Sequence, residues 1–419
     1  MELMIKQGYK QTEVGLIPEE WEVKMIGNLT SRIGDGIHST PFYNSSGNYY
    51  FINGNNLKSG EIIIDEGTKK VDFNEFKKHQ RDINELTILL SINGTIGNVA
   101  FYKNEKVVLG KSAAYINLQK QVSKEYVFHK LQTKNVQLFF HNNLTGSTIK
   151  NLGLGTIRHT PISIPPTLTE QKAIATALSD VDALITSLDR TITKKKAIKQ
   201  GAMQQLLTPP HKGGKRLSGF SGEWERVKVE KVINVGRGGS PRPIQDYITS
   251  YSNGVNWIKI GDTSRYSKYI NSSKDKIIPE GVQFSRSVSV GDFLLSNSMS
   301  FGRPYILKID GCIHDGWLVL QNYQDSFDRE FLYYTLMSKD VFNQYLNKAS
   351  GSGVLNLNKE LVKVVELNRP KDLQEQKAIA QILSDMDLEI EQLETKRIKY
   401  QAIKQGMMQE LLTGKTRLV

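Results

Sequence analysis

An internal duplication constrains the fold of this chain more than any other sequence feature. Residues 170–208 recur at 375–413 with a constant offset of 205, and the runs EQKAIA and AIKQG are intact in both copies. More than half of the aligned positions are identical. Self-similarity at a fixed offset indicates a repeated structural unit. We therefore expect two equivalent halves in this chain of 419 residues, whose length suits two or three domains.

The same offset, within two or three residues, reaches into the region that precedes each copy. Trp21 matches Trp224, and Leu89 and Leu90 match Leu294 and Leu295, whereas most other positions there differ. We interpret this order as variable domain, shared helix, variable domain, shared helix. The predicted boundaries are 1–166 for the first variable domain, 167–208 for the first helix, 209–222 for a linker, 223–371 for the second variable domain, 372–413 for the second helix and 414–419 for a tail.

Both shared segments have the apolar spacing of long helices that pair in a coiled coil, with steps of alternately four and three residues. The residues are Ile174, Leu178, Val181, Ile185, Leu188 and Ile192 in the first copy and Ile379, Leu383, Met386, Ile390 and Leu393 in the second. The pairs Thr167 with Glu170 and Asp372 with Glu375 have the spacing of helix N-caps. Roughly 40 residues of helix span about 60 Å, so we expect each helix to project. The alternative is a helix packed on its own domain.

The linker sets the relative direction of the two helices. Residues 209–222 can stretch at most about 50 Å, which is too short to connect a parallel pair of this length. We therefore predict an antiparallel two-helix coiled coil with one variable domain at each end and an approximate internal twofold axis. Gly, Pro, Lys and Ser in the linker are typical of a mobile connection. Short strand-like runs alternate with helical stretches in each variable domain, which predicts a mixed, α+β fold.

The charge of the chain favours a polyanionic partner. The net charge is +12, and the two variable domains share it, with 19 basic and 15 acidic side chains in residues 1–166 and 20 and 16 in residues 223–371. Two equivalent DNA contacts would explain this distribution, and scattered, solvated lysines are the alternative. A single cysteine, Cys312, excludes an internal disulfide. No apolar run approaches the roughly 20 residues of a membrane span, so we expect a cytoplasmic protein.

The sequence shows no constellation of catalytic residues. Gly110–Lys111–Ser112 and Gly414–Lys415–Thr416 each lack the earlier glycine of a phosphate loop. The seven histidines have no metal-ligand spacing, and the Asn/Asp-Pro-Pro-aromatic tetrapeptide of amino-methyltransferases is absent. We predict a non-catalytic chain that binds neither a metal nor a cofactor itself. The alternatives are a self-contained DNA-modifying enzyme with an atypical site, and a coiled-coil protein adaptor that does not bind DNA.

Residues 15–22 (GLIPEEWE), their echo at 219–225 (GFSGEWE) and the two shared segments resemble specificity subunits of type I restriction-modification enzymes. The resemblance implies two target recognition domains, each reading one half of a bipartite, asymmetric DNA site, and helices that set the spacer. It also implies two docked modification subunits that methylate adenine, and restriction subunits that translocate and cleave DNA. Those partners would use S-adenosylmethionine, ATP and Mg²⁺.

Candidate DNA-contacting residues are basic or amide side chains in loop-like sequence, because such groups reach base edges and phosphates. They are Lys58, Lys69, Lys70, Asn93, Lys111 and Arg158 in the first domain and Arg237, Arg242, Arg265, Arg286 and Arg303 in the second. Ordinary surface exposure is the alternative for each of them. Trp21 and Trp224 are expected to anchor the cores instead of stacking on bases.

Candidate partner-binding residues are polar side chains that are identical in both helices. They are Gln171, Lys172, Asp180 and Asp182 in the first copy and Gln376, Lys377, Asp385 and Asp387 in the second. Residues on a helix face that only contacts solvent could diverge between the two copies. We therefore expect these residues to help form two equivalent docking surfaces for the modification subunits.

Overall fold

The computed structural model describes residues 7–264, 267–297, 301–349 and 356–418. The chain divides into two compact units. Unit 1 comprises Met1–Asp189 and Thr395–Val419, and unit 2 comprises Arg190–Glu394. Each unit therefore contains one variable domain and a part of both long helices.

Unit 1 begins with the first variable domain and leads into the first long helix. Its strands are β1 (Tyr9–Thr12), β2 (Gly15–Pro18), β3 (Glu22–Met25), β4 (Thr30–Asp35), β5 (Tyr49–Ile52), β6 (Leu57–Lys58), β7 (Glu61–Ile62), β8 (Lys70–Val71), β9 (Thr87–Ser91), β10 (Val99–Phe101), β11 (Val107–Leu109), β12 (Ala113–Leu118) and β13 (Pro161–Ile164). Its helices are α1 (Phe73–His79), α2 (Lys124–Leu131), α3 (Lys134–Asn142), α4 (Leu154–Arg158) and α5 (Leu168–Leu206), the last of which continues into unit 2.

Two sheets organise unit 1. The first is antiparallel with the strand order β10-β9-β12-β4, and all residues of β9 and β12 are buried. The second has the order β11-β5-β8, with β11 parallel and β8 antiparallel to β5. Strand β3 pairs with β13, which leads directly into α5.

Unit 2 contains the second variable domain and the second long helix. Its strands are β14 (Trp224–Lys228), β15 (Asn234–Arg237), β16 (Ile248–Thr249), β17 (Val255–Ile258), β18 (Tyr269–Ile270), β19 (Asp275–Ile277), β20 (Arg286–Val288), β21 (Phe293–Ser296), β22 (Pro304–Leu307), β23 (Gly311–Ile313), β24 (Trp317–Gln321) and β25 (Glu366–Pro370). Its helices are α6 (Val229–Val232), α7 (Arg329–Leu336), α8 (Lys339–Ala349), α9 (Lys359–Lys363) and α10 (Leu373–Leu411), which continues into unit 1.

The sheets of unit 2 repeat those of unit 1 with additions. The order β22-β21-β24-β15 corresponds to β10-β9-β12-β4, and β18 extends it by one parallel strand. The second sheet, β16-β19-β17-β23-β20, contains the same parallel pair and antiparallel neighbour as β11-β5-β8. The variable domains therefore share a fold although most of their residues differ. The predicted mixed α+β fold with an internal repeat is confirmed.

The first turns of each long helix belong to the core of the variable domain that precedes them. Ile174 and Leu178 are fully buried in the main core of unit 1, and Ile379 and Leu383 have the same place in unit 2. Trp21 is buried in the first core. The first two positions of the apolar spacing that predicted a coiled coil thus pack on the domain, whereas the later positions Leu188, Ile192 and Ile390 are buried outside the two main cores.

Helix pairing is antiparallel within each unit, as the linker length predicted. In unit 1, Asp182 pairs with Lys404 and Asp189 with Arg397, so the partner number falls as the helix number rises. In unit 2, ion pairs join Lys195 to Glu389 and Lys199 to Asp387, and the partner number falls in the same way. Among the described residues, no helix is long and apolar enough to cross a membrane.

Candidate functional site

Gln171 and Gln376 attach the variable domain of each unit to its long helix. Oε1 of Gln171 accepts a hydrogen bond of 3.0 Å from the backbone N–H of Ser123, the N-cap residue of α2. Oε1 of Gln376 accepts one of 2.8 Å from the N–H of Asp328, the N-cap residue of α7. Both amide side chains are buried, so neither can present itself on a docking surface. This corrects the expectation for these two residues.

Asp182 lies at a junction between both helices and the variable domain of unit 1. Lys404 Nζ is 2.6 Å from its Oδ1. His129 Nδ1 is 3.9 Å from the other oxygen, and His129 Nε2 lies 3.1 Å from Ser179 Oγ. Burial lowers the pKa of His129 to about 4 despite the nearby carboxylate, so the ring is neutral at pH 7.

Asp387 has the equivalent place in unit 2. Lys199 forms an ion pair with Asp387, and the hydroxyl of Tyr334 donates a hydrogen bond of 2.7 Å to its Oδ2. Tyr334 stands 205 residues after His129, so a different residue makes the equivalent contact in each unit. Burial is the main reason why the pKa of Tyr334 is raised well above its ordinary value.

The pairing of helices explains why these aspartates and lysines are identical in the two copies. Lys199 and Lys404 are the lysines of the repeated AIKQG run, and each pairs with the aspartate of the other copy. Asp182 and Asp387 are already engaged and only partly exposed. Their part in docking the modification subunits stays a prediction.

Glu170 and Glu375, the carboxylates of the predicted helix caps, are buried and bind arginines. Thr167 Oγ1 caps the helix by accepting from the N–H of Glu170, but the Glu170 carboxylate itself receives a bidentate bond from Arg417, with Nη2 to Oε2 at 2.9 Å. Arg216 Nη2 lies 2.7 Å from Glu375 Oε2 in unit 2. Thr167 and Asp372 therefore accept hydrogen bonds from the first turn of their helices, while the carboxylate of each predicted cap binds an arginine.

The linker after the first helix and the tail after the second make equivalent contacts in their units. The runs GKRL at 214–217 and GKTRL at 414–418 each supply the arginine that neutralises the buried glutamate. The leucine that follows, Leu217 or Leu418, packs against the main core of its unit. These contacts hold the linker against unit 2, in contrast to the mobile connection that its composition predicted.

Four of the identical polar residues remain on the helix surface. Lys172, Asp180, Lys377 and Asp385 are all exposed. Asp385 accepts a hydrogen bond of 2.8 Å from Gln381 Nε2 one turn earlier. These four side chains are the most exposed of the residues predicted to dock the modification subunits.

The DNA-contact candidates of unit 1 are spread over several parts of the domain. Lys69 and Lys70 lie together at β8, over the rings of Tyr43 and Tyr50. The others are Lys58, exposed at the end of β6; Asn93, half-buried after β9; Lys111, exposed before β12; and Arg158, which ends α4 and donates to the carbonyl of Ile33. Of this set, the structure brings together Lys69 and Lys70.

Three candidates of unit 2 converge on one loop. Arg237 Nε and Arg242 Nη2 lie 3.5 Å and 3.8 Å from the main-chain and carboxylate oxygens of Asp315, and Arg286 Nε donates to the carbonyl of Arg237 at 2.7 Å. All three side chains are exposed. Arg303 lies apart over the ring of Tyr305, with its Nε buried. Arg265 lies outside the described residues.

Sequence reasoning missed several residues that the fold places at these sites. Arg81 donates to the carbonyls of Asp35 and Gly36 at the end of β4, and Arg286 donates to the carbonyl of Arg237 at the end of β15. The two arginines are 205 residues apart. The offset alone could have found this pair. Phe42 and Phe73 are exposed beside Lys78 and Lys77, respectively. The described residues contain no cluster of three or more His, Cys, Asp or Glu side chains able to hold a metal ion.

Comparisons with known proteins cover the whole chain. The model of a family described as "Type I restriction modification DNA specificity domain" matches residues 18–200 and 221–400. The type I restriction enzyme MjaVIII specificity subunit of Methanocaldococcus jannaschii is 25% identical over 440 residues, covering 100% of this chain and 98% of that protein. The putative type I restriction enzyme MjaX specificity subunit of the same organism is 25% identical over 435 residues, covering 99% and 97%.

Two solved structures share the fold. The S subunit of a type I restriction-modification system from M. genitalium matches with a TM-score of 0.59 and 15% identity, covering 98% of both chains. A chain from a structure of the type I R-M system matches with a TM-score of 0.58 and 16% identity, covering 96% of this chain and 99% of that chain.

Proposed function

Since this chain belongs to the family of type I restriction-modification DNA specificity domains, we propose that it is the subunit that selects the DNA sequence for a multisubunit complex. Each unit reads one half of a bipartite, asymmetric site in double-stranded DNA. Two modification subunits dock on the helices, and restriction subunits join that complex. S-adenosylmethionine, ATP and Mg²⁺ act in those partners, and the assembly works in the cytoplasm.

One observation carries the proposal: the two units have the same sheets but different exposed side chains. Sequence is read by side chains aimed at base edges, whereas the scaffold sets their position. Arg237, Arg242 and Arg286 meet around the loop between β23 and β24 of unit 2. The equivalent loop of unit 1, between β11 and β12, has Lys111, and unit 1 also has Lys69 and Lys70 near β8. Two domains with the same fold but different DNA-contacting side chains suit two different half-sites. Identical side chains in both domains would favour a palindromic site.

The function is tested by expressing the full chain with its modification subunits and sequencing the methylated adenines of the host. We expect one split motif with two unlike halves. The purified chain alone, incubated with DNA, Mg²⁺ and S-adenosylmethionine, should show no turnover. Turnover by the chain alone would instead support a self-contained enzyme, and a complex without specific DNA binding would support a protein adaptor.

The exposed residues common to both helices are proposed as the docking surface for the modification subunits. Charge reversal at both Asp180 and Asp385 to lysine should weaken assembly about tenfold, because opposing charges across an interface steer and stabilise association. Analytical ultracentrifugation of the chain with modification subunits gives the affinity, and circular dichroism checks helix content. The control is Glu391→Lys, an exposed position of α10 whose equivalent in α5 is Thr186. Equal assembly of the double variant and the control would reject the docking role.

The two long helices are proposed to set the unread spacer between the half-sites. Each runs without a break through residues of both units. Inserting seven residues after Asp189 in α5 and after Glu394 in α10 lengthens both by about 10 Å while preserving the apolar face. The spacer should grow by about three base pairs, since base pairs rise 3.4 Å each. Sequencing of methylated sites measures this. Unchanged half-sites with the original spacer would contradict the ruler.

A further inference from the structure

Unit 1 exposes three aromatic side chains beside its second sheet. Phe42, Tyr43 and Phe73, which we name the aromatic patch, have 79%, 40% and 53% of their surface exposed. Phe42 and Tyr43 precede β5, and Phe73 begins α1. Exposed aromatic rings that lie close together are uncommon on a protein that has no use for them, because each keeps apolar surface in contact with water.

The aromatic patch is held in place by rings beneath it. The ring of Tyr43 lies 5.7 Å from that of Phe51, and the ring of Phe73 lies 6.1 Å from that of Tyr49. Tyr49 stacks in turn on Phe76 at 4.2 Å. The backbone N–H of Phe42 donates to Glu75 Oε2 at 3.3 Å. The exposed rings therefore stand on an ordered support.

Lysines surround the aromatic patch. Their Nζ atoms lie near ring centroids, with Lys69 at 4.2 Å from Tyr43, Lys77 at 5.8 Å from Phe73 and Lys78 at 5.9 Å from Phe42. Lys78 also pairs with the buried carboxylate of Glu75, and that hydrogen bond lowers the pKa of Glu75. Within the described part of the chain, Lys69 and Lys77 have no carboxylate partner and can bind an external anion.

Unit 2 exposes aromatic residues at the equivalent sheet. Tyr251 follows β16 and is 72% exposed, and Phe284, 51% exposed, lies before β20 with its ring 5.7 Å from that of Tyr247. Of the six phenylalanine and tyrosine side chains that are exposed among the described residues, five lie beside these two sheets, and Phe342 is the sixth. The residues differ between units while their location in the fold is the same.

We propose that the aromatic patch is the DNA-reading surface of unit 1, with Phe42 and Phe73 against bases or sugars and Lys69 and Lys77 on flanking phosphates. The inference rests on the proposed function and names the residues through which unit 1 performs it. Duplex DNA supplies both features that the patch requires, since its phosphates bind lysine and its bases and thymine methyl groups accept apolar contact. Aromatic side chains can also insert between base steps from the minor groove.

The test uses the full chain assembled with modification subunits and the DNA site found by methylation sequencing. The double variant Phe42→Ala/Phe73→Ala should raise the Kd at least tenfold and relax methylation at one half-site, leaving the other half-site unchanged. Phe342→Ala, an exposed ring on α8 of unit 2, is the matched control and should change the Kd less than twofold. Replacing Lys69 and Lys77 by glutamine should lower the slope of log K against log salt by about two, unlike Lys134→Gln on α3.

Three outcomes would overturn the inference. One is a double variant that binds DNA within twofold of the unaltered complex and keeps both half-sites. Another is a double variant that keeps its helix content but no longer assembles with the modification subunits, which would make the patch a protein-docking surface. The third is a weaker affinity without any change at either half-site, which would exclude a reading role. If the unaltered complex itself methylates no specific sequence, the proposed function fails, and that result is separate from these three.

Discussion

Replacing Arg417 by alanine is expected to lower the free energy of unfolding of unit 1 by about 3–5 kcal/mol, the cost of leaving a buried carboxylate without its cation. Glu170 is 1% exposed, and Arg417 is its bidentate partner. The arginine also reaches Glu20 at 3.2 Å and lies over the ring of Trp21. Urea denaturation of the full chain, with hydrogen exchange read on peptides of α5, would measure the loss in unit 1.

The equivalent substitution in unit 2 is the internal control. Arg216→Ala removes the cationic partner of the buried Glu375 carboxylate, but Trp224 Nε1 still donates a hydrogen bond of 3.2 Å to Glu375 Oε1. We therefore expect a smaller loss there. Adding Glu170→Gln to Arg417→Ala should recover part of the stability, because it removes the uncompensated charge. A loss below about 1 kcal/mol for Arg417→Ala, the value of an exposed pair, would contradict the role given to this contact.

Unit 1 is expected to become more stable as the pH rises from 7 to 9, because of one buried lysine. Lys130 is 7% exposed, and its Nζ donates to Ser163 Oγ and to the carbonyl of Leu412, both at 2.6 Å. Burial lowers its pKa to about 7. Between the pKa of the folded state and the ordinary value of about 10.4, the unfolded chain binds a proton that the folded chain lacks, so stability increases with pH.

The contribution of Lys130 over this interval is about 2 kcal/mol, obtained from the two pKa values by linkage. Stability continues to increase above pH 9 up to the unfolded pKa, and this contribution is lost as the pH falls through the folded pKa of about 7. Lys130→Met should remove this slope, whereas Lys134→Met, an exposed neighbour on α3, should keep it. Thermal unfolding at several pH values reports the difference. A variant at position 130 with the same slope as the unaltered chain would show that another group causes it.

Periodicity and the repeat predicted the long helices and their antiparallel direction, because both are visible in a single stretch of sequence. The residues of the candidate site were harder to predict from the sequence. Identity between the two copies selected Gln171 and Asp182 as surface residues, but one is buried against Ser123 and the other is paired with Lys404. Identity reports that a residue is constrained, and it does not say whether the constraint lies inside a unit or on its surface. Lys172 and Asp180, which remain exposed, satisfy the same criterion.

The loops were harder to predict because their residues have no periodicity. Basic residues in loop-like sequence included Lys69, which lies beside the aromatic patch, and also Arg158, which braces the carbonyl of Ile33. Phe42 would ordinarily be assigned to a core from its hydrophobicity. Its exposure depends on how β5, β8 and α1 fold around it, which is a property of the whole domain.

The amino-acid sequence was sufficient to predict a duplicated protein with two long antiparallel helices and two divergent domains, since a fixed offset and a heptad spacing are local patterns. Which polar residues are interior and which remain exposed depends on how the whole chain folds. Lys130 meets the carbonyl of Leu412, and Arg417 meets Glu170, across 282 and 247 residues of chain. Burial and pKa follow from such distant contacts, because desolvation depends on everything that packs around a group.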